Sequence, residues 1–444
     1  MKRYVYKELK KWVNRNRRKP LIIRGARQVG KTWLVENLAH AEFDYLIKVD
    51  FEESPELIYL FDGDLNPSKI CAELELRSGI DIVKGKVLLF LDEIQLCPRA
   101  IISLRYFYEQ IPELHIIAAG SLLEFAFGEI SFPVGRIQSL EVNPMNFSEF
   151  LLATGHSKAA EMCTNSVVEI SDSTHDFLLG MLREYWMVGG MPESVQEYIQ
   201  TKSIKSATEV QDEIYSTFHL DFNKYKPKTD INCLKSVFSN IALHVGKQVK
   251  YTGLAKDSTI PTIKKAYESL ILARVIKKVR SVSSPGIPLL AHSSDKKFKS
   301  LYLDIGLMNR AMDIDYSLAL NHSNLLAICR GQLAEQFVGQ EFVSSSENQL
   351  YYWARDAKSS SAEVDFLWQV NTELIPVEVK DGPSGRLRSL HLYRNAYNPN
   401  YSVVFHSGKL GILEEEKIAF LPLYFAGSFA RHGFSGIDNS NTSL

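Results

Sequence analysis

Cysteine is scarce and scattered in this 444-residue chain: Cys71, Cys97, Cys163, Cys233 and Cys329, none of them in a CxxC pair. That spacing builds neither a disulfide framework nor a zinc finger, and a reducing, cytoplasmic setting is the expectation. Long apolar runs are missing too. None approaches the roughly eighteen residues of a membrane span, and the opening MKRYVYKELKKWVNRNRRKP has basic residues without the apolar core of a secretory signal. A soluble, unprocessed protein without a membrane partner is expected. An excess of either charge sign is also lacking, since the formal net charge is −1. A polyanion would therefore have to be met by a local concentration of charge.

What is present is ordinary globular material, 45% hydrophobic and 23% charged, which argues against disorder and fibrous repeats. The length exceeds what one core supports, so two to four domains are expected. Only the end of the chain, about 430–444 and closing in FSGIDNSNTSL, reads as a flexible tail. Basic residues crowd the first twenty positions and the segment from Lys247 to Lys299, where twelve lysines and arginines face only Asp257, Glu268 and Asp295. That segment is a candidate polyanion-binding surface.

The strongest motif is LIIRGARQVGKTWLVENLA, with G-x-x-x-x-G-K-[ST] running from Gly25 to Thr32 between an apolar strand and an amphipathic helix pattern. Its residues Gly25, Ala26, Arg27, Gln28, Val29 and Gly30 form a loop whose N–H groups, with the helix amino terminus, can cradle phosphates. Lys31 would reach the β- and γ-phosphates of ATP, and Thr32 would ligate Mg²⁺. KVLLFLDEIQ then reads as a buried parallel strand ending in Asp92 and Glu93. Asp92 would hold the Mg²⁺ through water, and Glu93 would orient and deprotonate the attacking water. LHIIAAGS ends in Ser121, either a γ-phosphate sensor or a strand-end cap. In FPVGRIQSLEVNP, Arg136 is a candidate arginine finger or sensor, supplied in cis or by a neighbouring copy in a homo-oligomer.

Together, GARQVGKT, LFLDEIQ, AAGSLLE, GRIQSLEVNPMNFSEF and YWMVGGMPE resemble the AAA-type ATPases of bacteria and archaea that carry an uncharacterised carboxy-terminal domain. The resemblance covers nearly the whole chain. It implies an additional-strand P-loop ATPase core over about 1–150, followed by a small helical lid over 151–230. The chemistry of YWMVGGMPE is open, and its glycines and proline suit a tight interhelix turn.

Residues 231–315 read as helix, short helix, longer helix and basic strand, with a Pro/Gly-containing turn after it: the layout of a winged helix-turn-helix. Lys256, Thr259, Thr262, Lys264 and Lys265 are the side chains expected to face DNA. The alternative is a protein-contact module with a solvated basic face. Over 325–415 come a helix placing Glu335 beside its apolar face, the strand QLYYWA, and the hairpin AEVDFLWQVNTELIPVEVK. This order resembles restriction-endonuclease-like folds and archaeal Holliday-junction resolvases, although no proline precedes Asp365. In that reading Asp365 and Glu378, with Glu335 completing the shell, would bind Mg²⁺ or Mn²⁺. Lys380, two residues along from Glu378 and so on the same face, would activate water.

The expected fold class is thus multidomain α/β: a P-loop NTPase parallel sheet, a helical lid, a winged helix and a restriction-endonuclease-like domain. The expected function is Mg²⁺-dependent ATP hydrolysis coupled to a DNA-binding region with a nuclease-like domain, whether that domain cuts DNA being left open by the sequence. The alternative is an ATP-dependent switch that binds another protein and carries an inert nuclease-like domain.

Overall fold

The computed structural model describes every residue except 128–134, 166, 225–229, 316–325, 347–348, 356–361, 371, 381, 383–386 and 437–444; for 126–127, 326–330 and 435–436 it describes the backbone alone. The chain divides into two compact units, Met1–Asn143 with Leu272–Arg274, and Pro144–Ile271 with Val275–Leu444.

The first unit is built on five parallel strands, β1 (Leu21–Arg24), β2 (Tyr45–Asp50), β3 (Val87–Asp92), β4 (His115–Gly120) and β5 (Gln138–Glu141). Their order is β2-β3-β4-β1-β5. Every residue of β3 and β4 is buried, as strands covered by helices on both faces require. Ile22, Leu89, Leu91, Ile116 and Ala118 pack with Leu104 and Phe107 of the helix Pro98–Gln110 to form this unit's core. β4 lies between β1 and β3, so the loops leaving the carboxyl ends of β1, β3 and β4 converge on one edge of the sheet, the usual place for a ligand in an open α/β fold.

The second unit joins helices to an eight-stranded sheet. β6 (Ile276–Val282) and β7 (Ser293–Tyr302) form a hairpin, followed by β8 (Tyr351–Ala354), β9 (Glu363–Val370), β10 (Glu373–Val379), β11 (Ser402–His406), β12 (Gly411–Leu413) and β13 (Ile418–Pro422). The order is β12-β13-β11-β10-β9-β8-β6-β7. The wing-like hairpin therefore does not stand apart: β6 pairs in parallel with β8 through Arg280↔Tyr351 to Val282↔Trp353. Residues expected to form a separate winged helix and a separate nuclease-like domain share one sheet. The tail is also shorter than expected, because Ala426–His432 is helical and buries Phe429. Residues 437–444 lie outside the described ones.

One buried carboxylate ties this unit together. Asp304, fully buried, accepts hydrogen bonds from the N–H groups of Gly306 (2.9 Å) and Leu307 (3.1 Å) through Oδ1 and of Gly190 (2.7 Å) through Oδ2. Gln340 also reaches Oδ2 at 3.3 Å and donates to the Tyr185 hydroxyl, which in turn donates to the Met145 carbonyl. Burial raises the Asp304 pKa, and the N–H bonds oppose that rise. The glycines of YWMVGGMPE now have a reason. Gly189 has φ +69°, and a Cβ there would strike Asp304; a Cβ on Gly190 would strike the Met145 carbonyl. The motif is a backbone approach that side chains would block.

Gly190→Ala is expected to lower stability by about 2–4 kcal/mol through overpacking. Asp304→Ala is expected to cost about 3 kcal/mol by stranding buried donors. Both act on one network, so the double variant should fall clearly short of their sum in urea unfolding. Additivity to within about 0.5 kcal/mol would show that the two positions are independent.

Candidate nucleotide site and carboxylate cluster

The segment from Gly25 to Thr32 leaves β1 and enters the helix Lys31–Glu42. Gly30, at φ +86°, is the residue before the helix, and no side chain caps that end. The first N–H groups of the helix are thus left for another acceptor. Gln28 also takes a left-handed conformation, φ +61°. Lys31 is only 7% exposed, and its ammonium donates to the carbonyls of Gly25 (3.1 Å) and Ala26 (2.7 Å) rather than to a carboxylate. Burial pulls its pKa down to about 8, against the pull of Glu93 and Asp92. A buried cation resting on neutral carbonyls, beside uncapped helix N–H groups, is a site prepared for an anion.

The remaining residues of the edge fall around it. Thr32 Oγ1 donates to Asp92 Oδ2 at 2.7 Å. Asp92 is buried, which raises its pKa, while the bonds from Thr32 and the Glu93 N–H (3.0 Å) oppose the rise. These two hard oxygen donors fit Mg²⁺. Glu93, at φ +48°, follows directly, and its carboxylate accepts from the amide of Gln95. Ser121, buried at the end of β4, accepts from Arg27 Nε at 3.3 Å, so the P-loop itself holds it.

Arg136 belongs to the opposite edge. β5 pairs in parallel with β1, Gln138 beside Leu21, which puts the residues before β5 at the amino-terminal end of the sheet. A strand of this length separates that end from the phosphate loop by roughly 10 Å. Arg136 is held there by Glu109 at 3.1 Å. A finger acting in cis is therefore corrected by the topology.

In the second unit, Glu335, Asp365, Glu378 and Lys380 do converge, with two residues that sequence spacing did not single out. Glu363 and Asp365 alternate onto one face of β9, and the Val379 N–H donates to Asp365 Oδ2 at 2.9 Å. Lys380 is paired with Glu378 at 2.6 Å. At the centre is Lys299 of β7, 1% exposed, whose ammonium lies 3.0 Å from Glu335, 3.1 Å from Asp365 and 3.2 Å from Glu363. Burial works to lower the Lys299 pKa, but Glu335, Asp365 and Glu363 overrule it and hold the side chain protonated. Glu378 is pushed up by burial and by Asp365. The carboxylates expected to hold Mg²⁺ or Mn²⁺ thus hold an ammonium. Among the described residues, no group of three metal-ligating side chains is arranged for an ion. As folded, the residues do not fit the metal.

Lys299 falls within the basic segment expected to form a polyanion-binding surface, and burial removes it from that surface. Lys278 and Arg280 are likewise tied to Asp295, each at 3.2 Å. Of the expected DNA-facing side chains, Lys256, Thr259, Lys264 and Lys265 are exposed. Thr262 is half-buried and bonds Thr259 at 2.9 Å across the start of the helix Ile260–Leu272. Lys264 pairs with Glu268 at 3.7 Å on the solvated face. A lysine inside the apolar run FKSLYL is the one signal in the sequence that could have marked Lys299.

Residues 17–151 match the family model of the AAA domain. Residues 180–318 and 330–425 match two domains of unknown function, DUF8612 and DUF4143. No curated protein matches the chain. Solved structures similar to it include the Walker-type ATPase paby2304 of Pyrococcus abyssi, 16% identical over 69% of this chain and 94% of that one, TM-score 0.44. Others are Drosophila ORC bound to DNA (9% identity, 70% and 94% covered, TM-score 0.26) and a single-residue variant of Thermotoga maritima RuvB (15%, 61% and 87%, 0.29). Among the described residues, no helix is long and apolar enough to cross a membrane. The family match falls on the segment whose β4 separates the P-loop strand from the strand of Asp92, and residues 17–151 are an AAA-type P-loop ATPase domain.

Proposed function

We propose that the chain hydrolyses ATP at the edge of the first sheet and that its second unit contacts DNA through the helix Ile260–Leu272. The observation that carries the first part is Lys31, a buried ammonium with only carbonyls to hold it, at the uncapped start of a helix. Phosphate oxygens there would accept from Lys31 and from the loop N–H groups, restoring to the lysine the solvation that burial removes. Thr32 and Asp92 would hold Mg²⁺, which supplies positive charge to the phosphates when bound. Glu93, whose carboxylate accepts from the Gln95 amide, would orient the attacking water and take its proton once that amide yields. Ser121, fixed by Arg27, would sense the γ-phosphate. The DNA part rests on the exposed side chains of Lys256, Thr259, Lys264 and Lys265, at and before the start of that helix.

Lys31→Met is expected to abolish the ATP-dependent rise in Tm. The same change should stabilise the nucleotide-free chain at pH 7 by about 1–3 kcal/mol, because a buried, poorly partnered charge is removed. The folded pKa of about 8 lies below the ordinary 10.5, so the cost of the charge is fully present below pH 8. It is relieved as pH rises from 8 to 10.5. The gap between wild type and variant should close over that window in denaturant titrations. Glu93→Gln should keep ATP binding and lose hydrolysis by about a hundredfold or more.

Duplex or branched DNA is expected to stimulate ATP turnover. Lys264→Ala with Lys265→Ala should weaken DNA binding and reduce the salt slope of log K by about two. A turnover rate that stays flat with duplex, branched and single-stranded DNA would sink the DNA reading and favour a protein partner on the same face.

A further inference from the structure

We infer that the carboxylate cluster of the second unit is a lysine-closed site: the Lys299 ammonium stands where a divalent cation would have to bind, so the cluster takes up neither Mg²⁺ nor Mn²⁺ and cuts no DNA by metal chemistry. This goes beyond the proposed ATPase and does not depend on whether the unit touches DNA.

The geometry is complete on the lysine side. An ammonium has three N–H donors and no acceptor, and here three carboxylates lie 3.0, 3.1 and 3.2 Å away, from Glu335, Asp365 and Glu363. The Tyr352 ring lies 5.3 Å from the same nitrogen. A divalent metal would need these oxygens drawn in to about 2.0–2.6 Å. It would also have to share the site with a buried charge of its own sign. Lys299 cannot swing aside cheaply, because its side chain is 1% exposed and it sits in β7 between Phe298 and Ser300, both fully buried. Although β7 and β9 are three places apart in the sheet order, Lys299 reaches Asp365, so the sheet curls across this face. The ammonium thereby fastens the hairpin strand to β9 and to the helix of Glu335. Lys380 is occupied as well, pairing with Glu378 at 2.6 Å.

The test uses the nucleotide-free full-length chain, stripped with EDTA, with Mn²⁺ as the probe and bound ions counted by electron paramagnetic resonance. Wild type and Asp365→Asn are expected to bind the same number of ions. Lys299→Met is expected to bind one more per chain, and Lys299→Met with Asp365→Asn should lose it again. Loss of an ion from wild type on Asp365→Asn would overturn the inference. So would a folded Lys299→Met, checked by circular dichroism, that gains none. Where Lys299→Met does not fold, the comparison of wild type with Asp365→Asn decides alone. Nicking of supercoiled DNA by wild type in Mn²⁺ gives a separate arm. No nicking above the Asp365→Asn level is expected, and Mn²⁺-dependent nicking that this variant lacks would overturn the inference. None of these readouts involves ATP turnover or DNA stimulation, so their failure is distinct from failure of the proposed function.

Discussion

A charge taken out of water must be answered by an opposite charge or by hydrogen bonds, and the ammonium of Lys299 inside its ring of carboxylates is where the second unit meets that demand most fully. The contact joins a strand of the β6–β7 hairpin to β9 and to the helix that carries Glu335. Remove the cation, and several carboxylates in a small buried volume would repel one another. Protonation, a metal ion or local unfolding would then be the remaining responses. The hairpin is therefore bound to the sheet electrostatically as well as through its ladder with β8. Lys31 in the first unit presents the contrasting case. It is buried too, yet its partners are backbone carbonyls. One lysine is fully answered from within the fold and the other is not, and that difference is what separates a structural cation from one that waits for an anion.

The same demand explains why the second unit does not break into the modules that its sequence pattern suggests. Asp304 gathers N–H groups from Gly190, Gly306 and Leu307. Glu341 takes the Phe147 N–H at 2.8 Å, at the start of the helix Phe147–Ala153, and burial pushes its pKa up to about 7. Gln336 brackets the backbone of Tyr302 on both sides, accepting from its N–H and donating to its carbonyl, each at 2.9 Å. The bonds of Asp304 to Gly190, of Glu341 to Phe147 and of Gln336 to Tyr302 link segments far apart in sequence, and each buried polar group depends on its partner staying in place. A boundary between a lid, a wing and a terminal domain would cut through them. The residues that read as three domains are thus held as one body by satisfied polar groups and by apolar packing together.

What was legible in the sequence follows from where the information sits. The phosphate loop was readable because Gly25 to Thr32 are contiguous, and the flanking strand and helix have their own local patterns. The additional strand was also within reach, since the apolar runs of β3 and β4 declare parallel strands buried on both faces. For Arg136 the clue against a finger in cis was present: a residue that precedes a parallel strand lies at the amino edge, and the phosphate loop lies at the other. The carboxylates were readable as a set because Asp365, Glu378 and Lys380 share a hairpin. Their meaning was not, because the residue that decides it, Lys299, comes from 66 positions before Asp365, within a segment whose many lysines suggested a polyanion-binding surface. Spacing reports which groups lie on one strand. It cannot report which distant cation the fold brings among them.

This bears on how an ATPase could use the second unit. The helix Ile260–Leu272 leads within a few residues into β6, and β6 is an interior strand of the eight-stranded sheet, paired on both sides. Interior strands give up their ladders only with the sheet. The helix is thus followed by a strand paired on both sides, and Lys299 ties the neighbouring strand of the hairpin to β9. A metal-dependent nuclease needs open coordination positions on its metal that water and phosphate can enter. Lys299 fills the space that such a metal would need, so in this fold the fastening of β7 to β9 and metal-assisted cutting compete for the same carboxylates.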